Sequence, residues 1–252
     1  MIMDLDTALA YLPVLLRGAL VTLELTAATL FFGMLIAAPV AVCRNARSSG
    51  PRWFAIVFVF VFRGAPLLAL LYVIYYGLPE IAALRNGWAW AILGRPFPCA
   101  VLALSLNSAG YLSEILAGAM RLVPRGEIEA ATAIGFGRVA LMRHILVPHT
   151  ARLALRAYAN EIVFVVKGTS VASLVTVREL LGGAGEIYFN TFDPITPYLT
   201  AGVLYLVMVY TTLRAIRFAE RRLSPEIRAR APVGDKEVPA VLMRGKEVSG
   251  TP

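Results

Sequence analysis

The sequence predicts an all-α integral membrane protein with five transmembrane helices, its N-terminus periplasmic and its C-terminus cytoplasmic. Composition comes first: 58% of the 252 residues are hydrophobic and the mean hydropathy is +0.70, well above the share usual for soluble chains. Second, five stretches approach or exceed the roughly 20 mostly apolar residues that a spanning helix needs: 15–42, 53–78, 97–120, 156–177 and 197–216. Third, when the connections are assigned alternately to two sides, thirteen arginines flank one side, among them Arg44, Arg121, Arg143 and Arg214. Only Arg17, Arg85, Arg95 and Arg178 flank the other. Positive residues mark cytoplasmic connections, which fixes the orientation.

The net charge of +8 is therefore a topology signal, and nucleic-acid binding is not expected. The opening Met1 to Asp6 carries two aspartates and no basic run, so it does not read as a cleaved signal peptide. Cys43 and Cys99 fall near opposite membrane faces, which excludes a disulfide between them.

Span one, 15–42, carries Glu24 in its outer part. Span two, 53–78, contains Arg63-Gly64-Ala65-Pro66; the proline removes a backbone donor and the nearby glycine permits a kink, which predicts a broken helix lining a path. Span three, 97–120, carries Asn107-Ser108 near its middle, then Tyr111 and Glu114. Asn107 and Glu114 are seven apart and so share a helical face. Span four, 156–177, carries Asn160-Glu161 and Lys167-Gly168-Thr169-Ser170. Asn160, Phe164 and Lys167 make one stripe there, with Glu161 and Gly168 on the next. Lys167 is the only lysine within any span.

Charge in hydrocarbon costs about 2.5–3.5 kcal/mol on insertion scales, so such groups face a cavity or one another. Glu24 and Glu114 read as groups joining spans. Asn107, Ser108, Asn160 and Glu161 read as a solute path, a carboxylate among polar groups suiting a cationic or ammonium group. For Arg63 and Lys167 two roles stay open: a structural or gating ion pair, which would also involve Pro66 and Ser170, or a contact with a solute carboxylate.

Between spans three and four lies a polar, basic loop at 127–148. Glu127-Ile128-Glu129-Ala130-Ala131-Thr132-Ala133-Ile134 favours helix, Gly135 suits a left-handed stop, and Pro148 suits the first turn of the next helix. Adjacent small alanines admit a close partner backbone, and Glu127 and Glu129 offer carboxylates. His144 and His149 are five apart, which does not align them for metal on one helix face. No phosphate-binding Gly-x4-Gly-Lys-Ser/Thr loop, nucleophile–base pair or metal cluster marks an enzyme. No cofactor bound by this chain is expected.

The loop's Glu-Ala-Ala-x3-Gly-x9-Ile-x-Val-Pro spacing resembles the EAA loop of permease subunits in ATP-binding-cassette importers. So do Phe62-Arg63-Gly64-Ala65-Pro66, Tyr75-Tyr76-Gly77-Leu78-Pro79, Leu104 to Ser108, and Asn160-Glu161 through Ser170. The chain is similar to amino-acid permeases of the type I importer fold, and 127–161 is similar to the M-type subunit of histidine and opine importers.

This resemblance implies a permease domain at 1–223; the cytoplasmic tail at 224–252 alternates charges with Pro, Gly and Ser and is expected to be disordered. The resemblance implies import of polar, basic amino acids or opines across the bacterial inner membrane. The implied partners are two ATP-binding subunits holding ATP and Mg, a periplasmic solute-binding protein, and a paralogous permease in preference to a second copy. Glu127, Glu129, Ala130, Ala131, Gly135 and Pro148 would then couple to the ATPase, and Asn107, Asn160 and Glu161 would meet the solute. Ala65 stands where Thr is usual, Leu70 where Gln is common, Gly168 where Asp or Asn is usual, and Val147 where Leu is usual. An ion-gradient-driven stand-alone carrier is the alternative, and it leaves the constrained inner loop without a task.

Overall fold

A computed structural model describes residues 5–88 and 90–223, and every regular element among them is helical. The tail expected at 224–252 lies outside the described residues. Among the described residues three helices are long and apolar enough to cross a membrane: Leu9–Arg44, Pro96–Arg121 and Ile195–Phe218. Two bent pairs raise the number to as many as five.

Helix α1 (Leu5–Arg44) packs most extensively along α6 (Pro96–Arg121). Small residues make the approach close: Ala37, Ala41, Ala109 and Ala117 are buried. A Cβ on Gly33 would sit 3.5 Å from the Ser108 side chain. Between helices in lipid, association depends on such close backbone packing.

The expected break in span two falls between α2 (Ser49–Gly64) and α3 (Leu67–Tyr72), bent by 100°. Its cause is Pro66. A residue before proline is pushed out of helical geometry, and Ala65 is extended at ψ 137°. Gly64 remains helical, so the kink expected of the glycine belongs to the proline. Beyond α3 the chain runs through a π turn (Val73–Gly77), a 3-10 turn (Leu78–Glu80), and two short helices, α4 (Ala82–Arg85) and α5 (Trp90–Leu93).

The polar loop folds as α7 (Arg125–Ala133) followed by α8 (Arg138–Leu141). Pro148 lies in the first turn of α9 (Val147–Gly168), as expected, yet no new helix starts there. A π turn at Met142–Leu146 joins α8 to α9 without a break, and Val147 N–H reaches back to the Met142 carbonyl. Proline supplies no N–H and crowds the carbonyl four residues earlier, and a wider turn accommodates that.

Span four continues as a 3-10 turn (Thr169–Val175), ends on left-handed Thr176 (φ 63°), and bends by 44° into α10 (Leu180–Thr191). Helix α11 (Ile195–Leu223) closes the described chain, extending past both ends of the expected 197–216. Asp193 caps it, its Oδ1 accepting from Ile195 N–H at 2.9 Å. A cavity of about 530 Å³, lined almost wholly by apolar groups, lies between α1, α6 and α9.

Candidate functional site

Two sets of residues have the chemistry to act: a polar cluster where α2, α6 and α9 meet, and the loop carrying α7.

In the first set, Ser108 donates its hydroxyl to Glu161 Oε1 at 2.7 Å, and both side chains are buried. Asn107 donates to the Phe62 carbonyl at 2.8 Å, one residue before Arg63. That bond satisfies an acceptor near the end of α2, whose last carbonyls have no helical partner. A Cβ on Gly110 would meet the Arg63 backbone nitrogen at 3.0 Å, so α2 rests directly on α6 there. The Arg63 guanidinium lies 5.2 Å from the Tyr111 ring centroid, and Tyr111 in turn lies 5.7 Å from the Phe164 ring.

The four residues expected to share one solute path therefore separate. Ser108 and Glu161 bond each other within the bundle, and Asn107 supports the α2 break. Asn160 faces outward with Phe164 and Lys167. Ser170 bonds the Lys167 carbonyl at 2.8 Å.

Glu114 joins spans as expected, accepting from Arg44 Nε at 2.6 Å. Glu24 makes no such contact among the described residues and lies on the outer face of α1.

One buried carboxylate escapes a reading of the sequence alone. Glu179 is fully buried and caps α10, accepting from Leu181 N–H at 3.0 Å and Gly182 N–H at 2.8 Å. Tyr205 donates to it at 2.6 Å and Thr22 at 3.3 Å, so α1, α10 and α11 meet on one side chain. The only local signal is a glutamate three residues before Gly182 at a chain bend. The partners that define it stand 157 and 26 residues away.

In the second set, α7 ends as the sequence predicts. Gly135 takes φ +90°, Phe136 N–H bonds the Ala131 carbonyl and Gly135 N–H the Thr132 carbonyl, both at 3.0 Å. This pair of bonds is a Schellman stop, which needs a left-handed residue. Ala130 and Glu129 face outward, whereas Ala131 is buried, so only one of the two alanines is open to a partner. Ile134 is 76% exposed, an apolar side chain at the end of a polar helix. Glu127 is exposed, and His149 Nε2 lies 3.0 Å from its Oε2, a contact that ties α7 to α9. His149 is thus an intramolecular contact and not merely part of a solvated loop.

Residues 14–225 match the family model described as "Binding-protein-dependent transport system inner membrane component". The octopine transport system permease protein OccM of Rhizobium meliloti is 39% identical over 224 residues, 87% of this chain and 90% of the relative. The nopaline transport system permease protein NocM of Agrobacterium fabrum is 36% identical over 90% of this chain and 95% of the relative. The histidine/lysine/arginine/ornithine transport system permease protein HisM of Escherichia coli K12 is 37% identical over 81% of this chain and 87% of the relative.

Among solved structures, a chain from a crystal structure of an amino acid ABC transporter with histidines superposes with a TM-score of 0.76 at 27% identity. That match covers 88% of this chain and all of the other. An inward-facing MetNI methionine ABC transporter, at 24% identity and a TM-score of 0.70 over 83% of this chain and 96% of the other, shares the fold. The chain belongs to the family of inner membrane components of binding-protein-dependent transport systems.

Proposed function

We propose that this chain is the permease half of an ATP-driven importer for polar amino acids or opines. It would cross the membrane five times with its N-terminus outside, and it would act beside a paralogous permease. The observation that carries the coupling is the closed stop of α7 at Gly135 (φ +90°). This stop presents Glu129, Ala130 and Ile134 outward on a helix anchored to α9 through Glu127 and His149.

ATP acts through partner subunits on this reading. Closure of the ATPase pair would move α7, and α9 would follow because the π turn makes α8 and α9 one rod. A nucleotide shifts a population only through different contacts in each state, and the α7 surface is where those contacts would differ. Solute delivered by a binding protein would meet the span-two break and the outward stripe Asn160, Phe164 and Lys167. The relatives named for octopine, nopaline and histidine/lysine/arginine/ornithine transport support this solute class.

The experiment is Gly135→Leu. A side chain at a left-handed residue is strained, at about 1 kcal/mol or more, and the stop distorts. Uptake and ATPase co-purification should both fall while membrane insertion persists. Normal co-purification with the ATPase would refute the docking reading.

A further inference from the structure

The cavity of about 530 Å³ between α1, α6 and α9 lies at one end of the bundle. Val42 on α1, Met120 on α6 and Val147 on α9 form its rim, each within two residues of the end of its helix. Its far wall reaches Met34 and Leu112, eight residues further in on α1 and α6. At about 1.5 Å per residue the cavity runs roughly 12 Å along the bundle. One leaflet offers roughly 15 Å of hydrocarbon, half of a bilayer core, so the depths match. Ala38 and Ala151 line the cavity and are exposed, so it is open to the surroundings of the chain.

Two observations say what fills it. Thr150 lines the cavity and is only 3% exposed, yet its hydroxyl has no partner among the described residues. Buried hydroxyls are normally hydrogen-bonded. Because this chain alone buries Thr150, only a group that enters the cavity reaches it. The hydroxyl stands three residues beyond Val147, about 4.5 Å inside the rim, the depth at which ester carbonyls follow a phospholipid headgroup.

The second observation is charge. Arg121 and Arg143 directly follow the lining residues Met120 and Met142, and both are exposed. Arg121 gives one N–H to Asn45 Oδ1 at 3.2 Å and keeps the remaining donors of its guanidinium. The nearby acids Glu114 and Glu127 pair with Arg44 and His149. Basic pockets between spanning helices on the cytoplasmic side take anionic headgroups. Below the rim the lining is apolar, which suits an acyl chain and not water, since a buried water needs about two to four polar partners.

We infer that an acyl chain of an anionic phospholipid of the inner leaflet occupies this cavity. Its headgroup lies on Arg121 and Arg143, and an ester carbonyl accepts from Thr150. Met142 and Val147 belong to the π turn and the helix start that join α8 to α9, so the lipid packs against the joint of the coupling rod. Only the assignment to the inner leaflet rests on the orientation proposed above.

The test places the assembled permease–ATPase complex in phosphatidylcholine nanodiscs. These contain a trace of phosphatidylglycerol with a photoactivatable diazirine at the end of one acyl chain, or of phosphatidylcholine with the same chain. Both leaflets carry the probe, so the result is independent of orientation. Peptide mapping should find the phosphatidylglycerol probe on Met34 and Leu112 at least ~5-fold more than the phosphatidylcholine probe, the factor expected of one arginine near the surface. Arg121→Gln and Arg143→Gln together should bring the two probes level. Ala151→Phe fills the cavity from an exposed position and should remove most of the far-wall labelling, leaving labelling elsewhere on the complex unchanged. Ala38→Phe, which fills it from α1, decides the same point if the first variant does not assemble.

Equal labelling of the far wall by both probes in the unaltered complex would overturn the anionic lipid. Absence of far-wall labelling, or labelling undiminished in the filled variants, would overturn the site. Cross-linking of Ala151→Cys to another subunit would make that subunit the occupant, and would overturn it as well.

Discussion

Glu179 and Thr150 are opposite cases of a buried oxygen. Glu179 satisfies four donors from three parts of the chain. Each buried donor left unpaired costs about 1–3 kcal/mol, so Glu179→Ala should destabilise the fold by roughly 3 kcal/mol or more. Tyr205→Phe removes one bond and should cost about 0.6 kcal/mol, the average measured between helices in lipid, and at most about 1.7 kcal/mol. Thermal unfolding in one detergent ranks the two, and equal midpoints for both variants would contradict the assignment. Thr150 lines the apolar cavity with its hydroxyl buried and without a partner among the described residues. Thr150→Val removes that unpaired group and should be neutral or stabilising by up to about 1 kcal/mol; a loss of stability would show the hydroxyl to be bonded.

Asp193 supplies a pH dependence at the same scale. A hydrogen bond from the Thr196 hydroxyl, with the Ile195 and Thr196 amides, holds its carboxyl below the ordinary aspartate range. A depressed carboxylate stabilises above its unfolded pKa, and that stabilisation is lost as pH falls through the folded value. Amide protection at the start of α11 should therefore persist through mild acid and fall only in strong acid. Asp193→Asn should remove this acid-dependent step in hydrogen exchange.

Among the elements, α7 is the most legible in the sequence and the polar stripes are the least. Gly135 is read from its own backbone requirement, and the alternation of polar and apolar runs marks the loop without any tertiary knowledge. Helical period also separates the stripes on α9: Asn160, Phe164 and Lys167 on one, Glu161 on its neighbour. Period alone does not say which stripe faces the bundle. That depends on Ser108, 53 residues away, bonding Glu161. Likewise Glu127 reads as a partner's contact in the sequence because His149, 22 positions on, is brought to it only by the rod of α8 and α9.

The Glu127–His149 contact yields a prediction at this scale. Glu127→Ala should loosen α7 from α9, lowering transport per ATP hydrolysed several-fold while ATPase binding persists. The ratio of uptake to hydrolysis in proteoliposomes measures it, and an unchanged ratio would remove Glu127 from the coupling path.

For the whole molecule, hydropathy marks the five apolar stretches, since spanning length follows from bilayer thickness. It does not mark the bends. Pro66 announces one of them. The turn at Thr176 is silent, because a left-handed threonine is set by packing and not by its own preference. The bends turn two apolar runs into jointed elements around α6, and that geometry brings the span-two break against α9.

Everything said of coupling requires the α7 surface to face the ATPase in the cytoplasm. The most direct test is Ile134→Cys, at a side chain that is exposed where Ala131 is not, in a Cys43→Ser, Cys99→Ser background. A membrane-impermeant maleimide should label the introduced thiol in inside-out vesicles and leave it unlabelled in right-side-out spheroplasts, and added ATPase subunit should block the labelling. Labelling of that thiol in intact right-side-out spheroplasts would contradict the account.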